Sequence, residues 1–259
     1  MTSSNRLHAA IFDLDGVITF TARVHAAAWK ELFDNFLRQR SEQLGEKFHP
    51  FDMELDYSRY VDGKPRIDGV VSFLSARNIQ LPLGRPSDPP GAATAWRLGA
   101  RKNETFKWKL REMGVDVDHE AVRLVRELHS RGVRTGLASS TKNAELILEK
   151  SKLGTLFDAV IDGVVSERLR LNGKPEPDIF LQCLKELNSY AQPRDGAIVE
   201  DAISGVEAGK RGGFGLVVGI DRNETGQLQH HGADWVVRDF RNITANQFIS
   251  AFLARTRAA

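Results

Sequence analysis

The chain carries 259 residues, 41% hydrophobic and 27% charged, enough to bury a full core as one large domain or as a core with a smaller companion. Its 36 lysines and arginines balance 34 acidic residues to a formal charge of +2, too even for a nucleic-acid partner, so recognition of any phosphate has to be local. A lone cysteine, Cys183, excludes an internal disulfide framework and a multi-cysteine zinc site, and the longest apolar runs fall far short of the roughly 20 residues needed to cross a bilayer.

In chain order, residues 1–6 lead straight into a strand-like segment with no charged leader and apolar stretch, so a cytoplasmic protein with no membrane partner is expected. The apolar run 9–12 predicts a buried strand that stops at Asp13-Leu14-Asp15-Gly16. Residues 22–114 differ in character, with helical stretches at 25–36 and 68–76, a proline- and glycine-bearing connector at 81–91 and no strong strand. They read as an inserted helical subdomain.

Beyond Glu120 the pattern becomes regular. Val122, Val125 and Leu128 share one helical face, Gly132 stops that helix, and 135–138 is a short strand. A helix at 143–152 leads to a strand at 159–161, and a helix at 178–187 to a strand at 197–199. A helix at 202–210 follows, then strands at 216–220 and 235–237. Cys183 falls on the apolar stripe Ile179, Phe180, Leu184 and Leu187, which makes it a buried thiol. Such alternation predicts an α/β fold, a doubly wound, Rossmann-like parallel sheet, with a core of residues 1–21 and 115–259 and the helical insert at 22–114.

In parallel sheets of this kind ligands gather at the carboxyl ends of the strands. Those ends carry Asp13 and Asp15, then Ser139, then Glu200 and Asp201, with Lys174 on a loop between strand units. Residues two apart on an extended segment project to one side, so Asp13 and Asp15 are expected to share a pocket. Two such carboxylates repel unless a cation intervenes or one holds a proton, and both remedies suit phosphoryl transfer. Asp13 would be the nucleophile beside a metal and Asp15 the proton donor and acceptor; the bland alternative is an acidic turn after a strand.

The stretch Phe12-Asp13-Leu14-Asp15-Gly16-Val17-Ile18 resembles the first motif of the haloacid dehalogenase superfamily, and three more motifs follow in that family's order. They are Leu137-Ala138-Ser139-Ser140, then Gly173-Lys174-Pro175-Glu176-Pro177-Asp178, then Val199-Glu200-Asp201-Ala202-Ile203-Ser204-Gly205. The resemblance implies an aspartyl-phosphate mechanism with Asp13, Asp15, Ser139 and Lys174 as the catalytic set. A phosphoryl group in transit needs a cation, a fixed ammonium and hydrogen-bond donors, which suits Lys174 and the Ser139 hydroxyl. Mg2+ is the expected cofactor, on Asp13 and Asp201, to which the resemblance adds the backbone carbonyl of Asp15. Glu200 either ligates directly, acts through water or orients its neighbours.

Within that superfamily the chain is similar to the β-phosphoglucomutase-like and phosphatase branch, whose helical cap follows the first motif. The stretch 15–22, with Thr21, His25 and Trp29, looks like the start of that cap. Gly63-Lys64-Pro65-Arg66 stands where mutases carry a distal-phosphate arginine, Arg101-Lys102-Asn103 resembles a cap-closing lysine segment, and Asn143 falls at a phosphate-binding asparagine. Thr21, His25, Arg66, Lys102 and Asn143 are therefore the substrate-binding candidates. Arg66, His25 and Lys102 also have plainer roles open to them: a helix-start arginine, a core histidine beside Trp29 and a solvated lysine. Phe20 departs from the aspartate common in that branch, and segments 44–60 and 84–95 are longer or more irregular than in compact mutases.

The expected partner is a small phosphorylated metabolite, a sugar phosphate above all, with either water or a sugar hydroxyl attacking the aspartyl-phosphate. Two other readings compete with this one. Glycines 209, 212, 213 and 215 suggest a dinucleotide module, but they precede a strand rather than follow one. A non-catalytic sugar-phosphate or nucleotide-binding regulator would have lost Asp13 or Asp15, and both are present.

Overall fold

A computed structural model describes residues 6–61 and 64–257, and the chain divides into two compact units. One contains the chain before Thr21 together with everything from Val115 onward; the other is Thr21–Gly114. The starting residues 1–5 and Gly63, both named above, lie outside the described residues.

The first unit is built on a sheet that, among the described residues, has six strands: β1 (Ala9–Phe12), β2 (Arg134–Ala138), β3 (Ala159–Ile161), β4 (Gly196–Glu200), β5 (Leu216–Ile220) and β6 (Trp235–Val237). The order is β3-β2-β1-β4-β5-β6 and every pairing is parallel. Burial explains the composition: β1, β4 and β5 are buried at every position and are apolar except for Glu200 at the end of β4, whereas the edge strands β3 and β6 are for the most part half-buried.

Helices α4 (His119–Ser130), α5 (Ala144–Lys150), α6 (Gly163–Leu169), α7 (Asp178–Leu187), α8 (Ile203–Arg211), α9 (Gln227–His230) and α10 (Ala245–Arg257) complete this unit. Ala9, Ile11, Ala138, Ile198 and Val217 share one core cluster with Ile179, Phe180, Cys183 and Leu184 of α7 and Val206 and Ala208 of α8. Cys183 is buried there, its thiol donates to the Leu137 carbonyl oxygen at 3.6 Å, and burial pushes that thiol far above its usual range. α4 and α10 pack on β2 and β5. Asp118 starts α4 by accepting from the Glu120 and Ala121 amides at 3.0 Å each.

The second unit is helical: α1 (Ala22–Leu44), a short π-helical turn (Tyr57–Val61), α2 (Arg66–Ala76) and α3 (Ala95–Met113). Its core is aromatic, with Phe33 4.1 Å from Phe73, 5.2 Å from Trp29 and 5.3 Å from Phe51, ring centre to ring centre. The long segment after α1 is thus anchored by Phe51, whose amide donates to Asp34 and whose carbonyl accepts from Lys30. α3 and α10 lie outside the elements expected from sequence. On α3 the buried positions Ala95, Leu98, Gly99, Lys102, Phe106 and Leu110 follow helical spacing, but a lysine and a glycine interrupt the apolar stripe.

Candidate active site

Register sets the geometry of the strand ends. Phe12 pairs with Leu137 on one side and Val199 on the other, so the next residues, Asp13, Ala138 and Glu200, stand level at the carboxyl ends of three adjacent strands. Asp13 extends the ladder by one bond, its amide donating to the Val199 carbonyl at 3.0 Å. Into this row reaches Lys174, from the loop before α7. Its ammonium donates to Asp13 Oδ1 at 2.6 Å, to Glu200 Oε1 at 2.5 Å and to the Ala138 carbonyl at 3.4 Å, and lies 4.9 Å from the Phe180 ring centre. An ammonium has three hydrogens, and three level strand ends supply three acceptors. The Lys174 side chain is only 8% exposed, although the residue lies on a loop.

Glu200 has both oxygens engaged. While Oε1 takes Lys174, Oε2 accepts the amides of Asp201 and Ala202 at 3.0 Å each. Gly205, in the first turn of α8, makes room for this carboxylate, because a Cβ there would overlap its carboxyl carbon. Gly16 does the same for Asp201: it holds a positive φ of 88°, and a Cβ would overlap Asp201 Oδ2. Neither glycine was assigned a role from the sequence, although each lies inside a recognised motif.

Beyond Asp13 the backbone curls instead of staying extended: Ile18 and Thr19 donate to the Leu14 carbonyl, and Gly16 donates to that of Thr19 at 2.7 Å. The simple two-residue periodicity therefore does not apply at Asp15. Its charge still reaches both Asp13 and Asp201. Burial pushes the Asp13 carboxyl well above the usual range; the Lys174 ammonium opposes this, and Glu200, Asp201 and Asp15 add to the rise. For Asp201, burial and the Glu200 charge push the carboxyl up to about 7. Burial by itself would lower Lys174, but the charges and hydrogen bonds of Asp13 and Glu200 outweigh it and hold the ammonium protonated.

Ser139 follows β2, its amide donating to the Ile161 carbonyl at 3.0 Å and its hydroxyl accepting from the Thr141 amide at 3.2 Å. It does not cap α5; Asn143, buried, precedes that helix. Asp13, Asp15, Lys174, Glu200 and Asp201 thus form one electrostatic cluster. Four carboxylates against the Lys174 ammonium, all hard oxygen donors, suit a divalent hard cation. Among the described residues no three Asp, Glu, His or Cys side chains close into a ready-made cage. Mg2+ does not need one, because it keeps several waters and borrows substrate oxygens. A cavity of about 570 Å³ is lined by residues of α4 and its approach and of the turn after α5, and by none of these groups.

In the helical unit Lys102, His25 and Arg66 come together. Lys102 is buried, donates to His25 Nδ1 at 2.6 Å and lies 5.1 Å and 4.9 Å from the Trp29 and Phe106 ring centres. His25 stacks on Phe106 at 4.2 Å. Burial, then the charges of Lys102 and Arg66, hold His25 well below the usual imidazole range, so it is a neutral acceptor. Arg66 opens α2 and is half-buried, and that burial lowers its pKa. Thr21, buried, precedes α1, and its backbone carbonyl accepts the His25 amide at 2.9 Å.

Among known proteins, the chain is 43% identical over 242 residues to a β-phosphoglucomutase of Mycobacterium bovis, covering 92% of each. It is 32% identical over 239 residues to a β-phosphoglucomutase of Bacillus subtilis, again covering 92% of each. The crystal structure of a β-phosphoglucomutase from Clostridium difficile superposes with a TM-score of 0.70 over 98% of this chain and 100% of that one, at 24% identity, which speaks to the fold. Residues 7–213, spanning all the strand-end motifs, match the haloacid dehalogenase-like hydrolases, and the chain belongs to that family.

Proposed function

We propose that this enzyme moves a phosphoryl group of a sugar phosphate through a covalent intermediate on Asp13. The Asp13 carboxylate attacks phosphorus, the bond to the leaving oxygen breaks, and Asp15 supplies that oxygen with a proton. Asp15 then takes a proton from the second nucleophile as it attacks phosphorus and frees Asp13. Lys174 and the Ser139 hydroxyl balance charge on the transferring oxygens. Glu200, with both oxygens engaged inside the protein, serves to orient Lys174. Asp13 and Asp201, with the Asp15 carbonyl, would hold Mg2+, which when bound neutralises the carboxylate excess and the charge of the phosphoryl group.

The observation that carries this reading is the Lys174 ammonium shared between Asp13 and Glu200 at the level ends of β1, β2 and β4. A structural ion pair would not gather further carboxylates around it. For the second nucleophile, a sugar hydroxyl is favoured over water. The relatives named β-phosphoglucomutase span nearly the whole chain. The insert also places the charges of Lys102 and Arg66 around His25, chemistry suited to a second, non-reacting phosphate. Residues 1–21 and 115–259 then act as the catalytic core and 22–114 as its cap.

The test is a screen of hexose phosphates with Mg2+, measuring isomerised product and free phosphate together, on wild type and Asp13→Asn. Isomerisation by wild type and none by Asp13→Asn is expected. Turnover by Asp13→Asn at the wild-type rate would end the mechanism, and release of phosphate without isomerisation would make the enzyme a phosphatase.

A further inference from the structure

Arg222, at the carboxyl end of β5, touches three separate stretches of chain. Its Nη2 donates to the Gly16 carbonyl at 3.0 Å and to Asp118 Oδ2 at 2.9 Å, and its guanidinium carbon lies 4.6 Å from the Phe20 ring centre. Asp221 fixes the turn that presents it, accepting from the Thr225 amide at 3.0 Å and the Gly226 amide at 2.7 Å.

Each partner occupies a distinct position in the chain path. Gly16 belongs to the loop after β1, next to Asp15 and packed against the Asp201 carboxylate. Phe20 ends the stretch that leaves for the helical insert, and Asp118 lies on the stretch that returns. Those two stretches are paired with each other: the Phe20 amide donates to the Asp116 carbonyl at 2.8 Å, the Asp118 amide to that of Ile18 at 2.9 Å, and Thr19 bridges Val117. Thr19 also bridges Asp15. One planar cation therefore binds a carbonyl and a carboxylate through its donors and an aromatic ring through its face, a combination a lysine cannot reproduce.

We infer that Arg222 is a positioning residue for the phosphoryl site, locking the loop of Asp15 and Gly16 to both chain crossings of the insert. Without the guanidinium, the Gly16 carbonyl loses its donor and the largely buried Asp118 carboxylate its counter-charge. The loop that sets Asp15 and backs Asp201 is then free to shift. A shift of that kind acts on the chemical step more than on binding, because reacting groups must be held to within a fraction of an ångström.

The kinetic part of the test rests on the function proposed above, so a second readout independent of turnover accompanies it. Arg222→Ala, Arg222→Lys and Phe20→Leu would be compared with wild type by amide hydrogen exchange and by Mg2+-dependent hydrolysis of p-nitrophenyl phosphate. In Arg222→Ala, the amides of Gly16, Phe20 and Asp118 should exchange faster by on the order of tenfold, while Ile198 and Val199 in β4 keep wild-type rates. The kcat should fall on the order of tenfold with KM within about twofold, and Arg222→Lys should recover only part of it. Phe20→Leu should give the same local pattern in milder form.

Wild-type exchange at those three amides would overturn the inference, as would protection lost evenly through β4, which marks general destabilisation. Full rescue by Arg222→Lys, or an unchanged kcat beside a lowered Tm, would also overturn it. If wild type itself leaves the aryl phosphate intact, the proposed function fails there, and the exchange pattern alone decides whether Arg222 holds the loop.

Discussion

Replacing Lys174 by methionine removes the ammonium but keeps an apolar stem to lie against Phe180, so the loss is one of charge rather than volume. The Asp13 and Glu200 side chains it leaves behind are 10% and 1% exposed. Removing one partner of a buried ion pair costs about 3–5 kcal/mol. At about 2–4 °C per kcal/mol for a unit of this size, the Tm should fall by about 6–20 °C near pH 8.

The pH dependence has a definite sign. Burial and the neighbouring carboxylates already hold Asp13 above its unfolded value, and Lys174 is the group that opposes them. Without it the folded value rises further. A group whose folded pKa is raised contributes stability that is fully present below the unfolded pKa and is lost as pH rises through the folded one. The deficit of the variant should therefore be small near about pH 4, where unfolded carboxyls are half protonated, and larger near about pH 8. Circular dichroism melts of wild type and variant in chelator, at both pH values, measure it. An equal deficit at both, or a Tm within about 2 °C of wild type near pH 8, would refute the view that Lys174 compensates buried carboxylates.

Three further outcomes are expected. Asp201, raised to about 7 by burial and Glu200, makes chelated protein lose stability as pH climbs from the usual carboxyl range through about 7; added Mg2+ should raise Tm by an amount that grows over the same interval, whereas a pH-independent gain would place the ion elsewhere. Gly205→Ala drives a methyl into the Glu200 carboxylate, and steady-state assays should show kcat falling by on the order of tenfold or more; wild-type kcat would mean Glu200 does not set Lys174. Arg66→Ala should raise KM for a sugar bisphosphate by on the order of tenfold or more and leave p-nitrophenyl phosphate nearly untouched, and equal losses on both would remove Arg66 as a distal clamp.

The placement of charge in the helical unit shows where reading from residues alone falls short. Lys102 stands between Arg101 and Asn103 in a run rich in charge, which looks solvated in one dimension. In three dimensions it takes a buried position on the α3 stripe, over two aromatic rings and against a neutral His25. α3 went unrecognised for the same reason, since its stripe contains a lysine where an apolar residue would announce a helix. Arg222 gave no signal either, because its partners Gly16 and Asp118 are separated from it by 206 and 104 positions.

Local order along the chain was enough to place the strands of the core, the parallel sheet and the acidic residues at its carboxyl edge, because period and punctuation are properties of neighbouring residues. Which carboxylate oxygen meets which donor was decided elsewhere. Lys174 finds Asp13 across 161 positions and Glu200 across 26, and only strand register brings those ends level. Glu200 illustrates the division: sequence leaves open whether it ligates directly, acts through water or orients its neighbours, and the packing of Gly205 and the amides of Asp201 and Ala202 leave its other oxygen on Lys174. Hydrogen bonds and charge pairs act over a few ångströms in space, and no spacing along a chain encodes that distance until the sheet has formed.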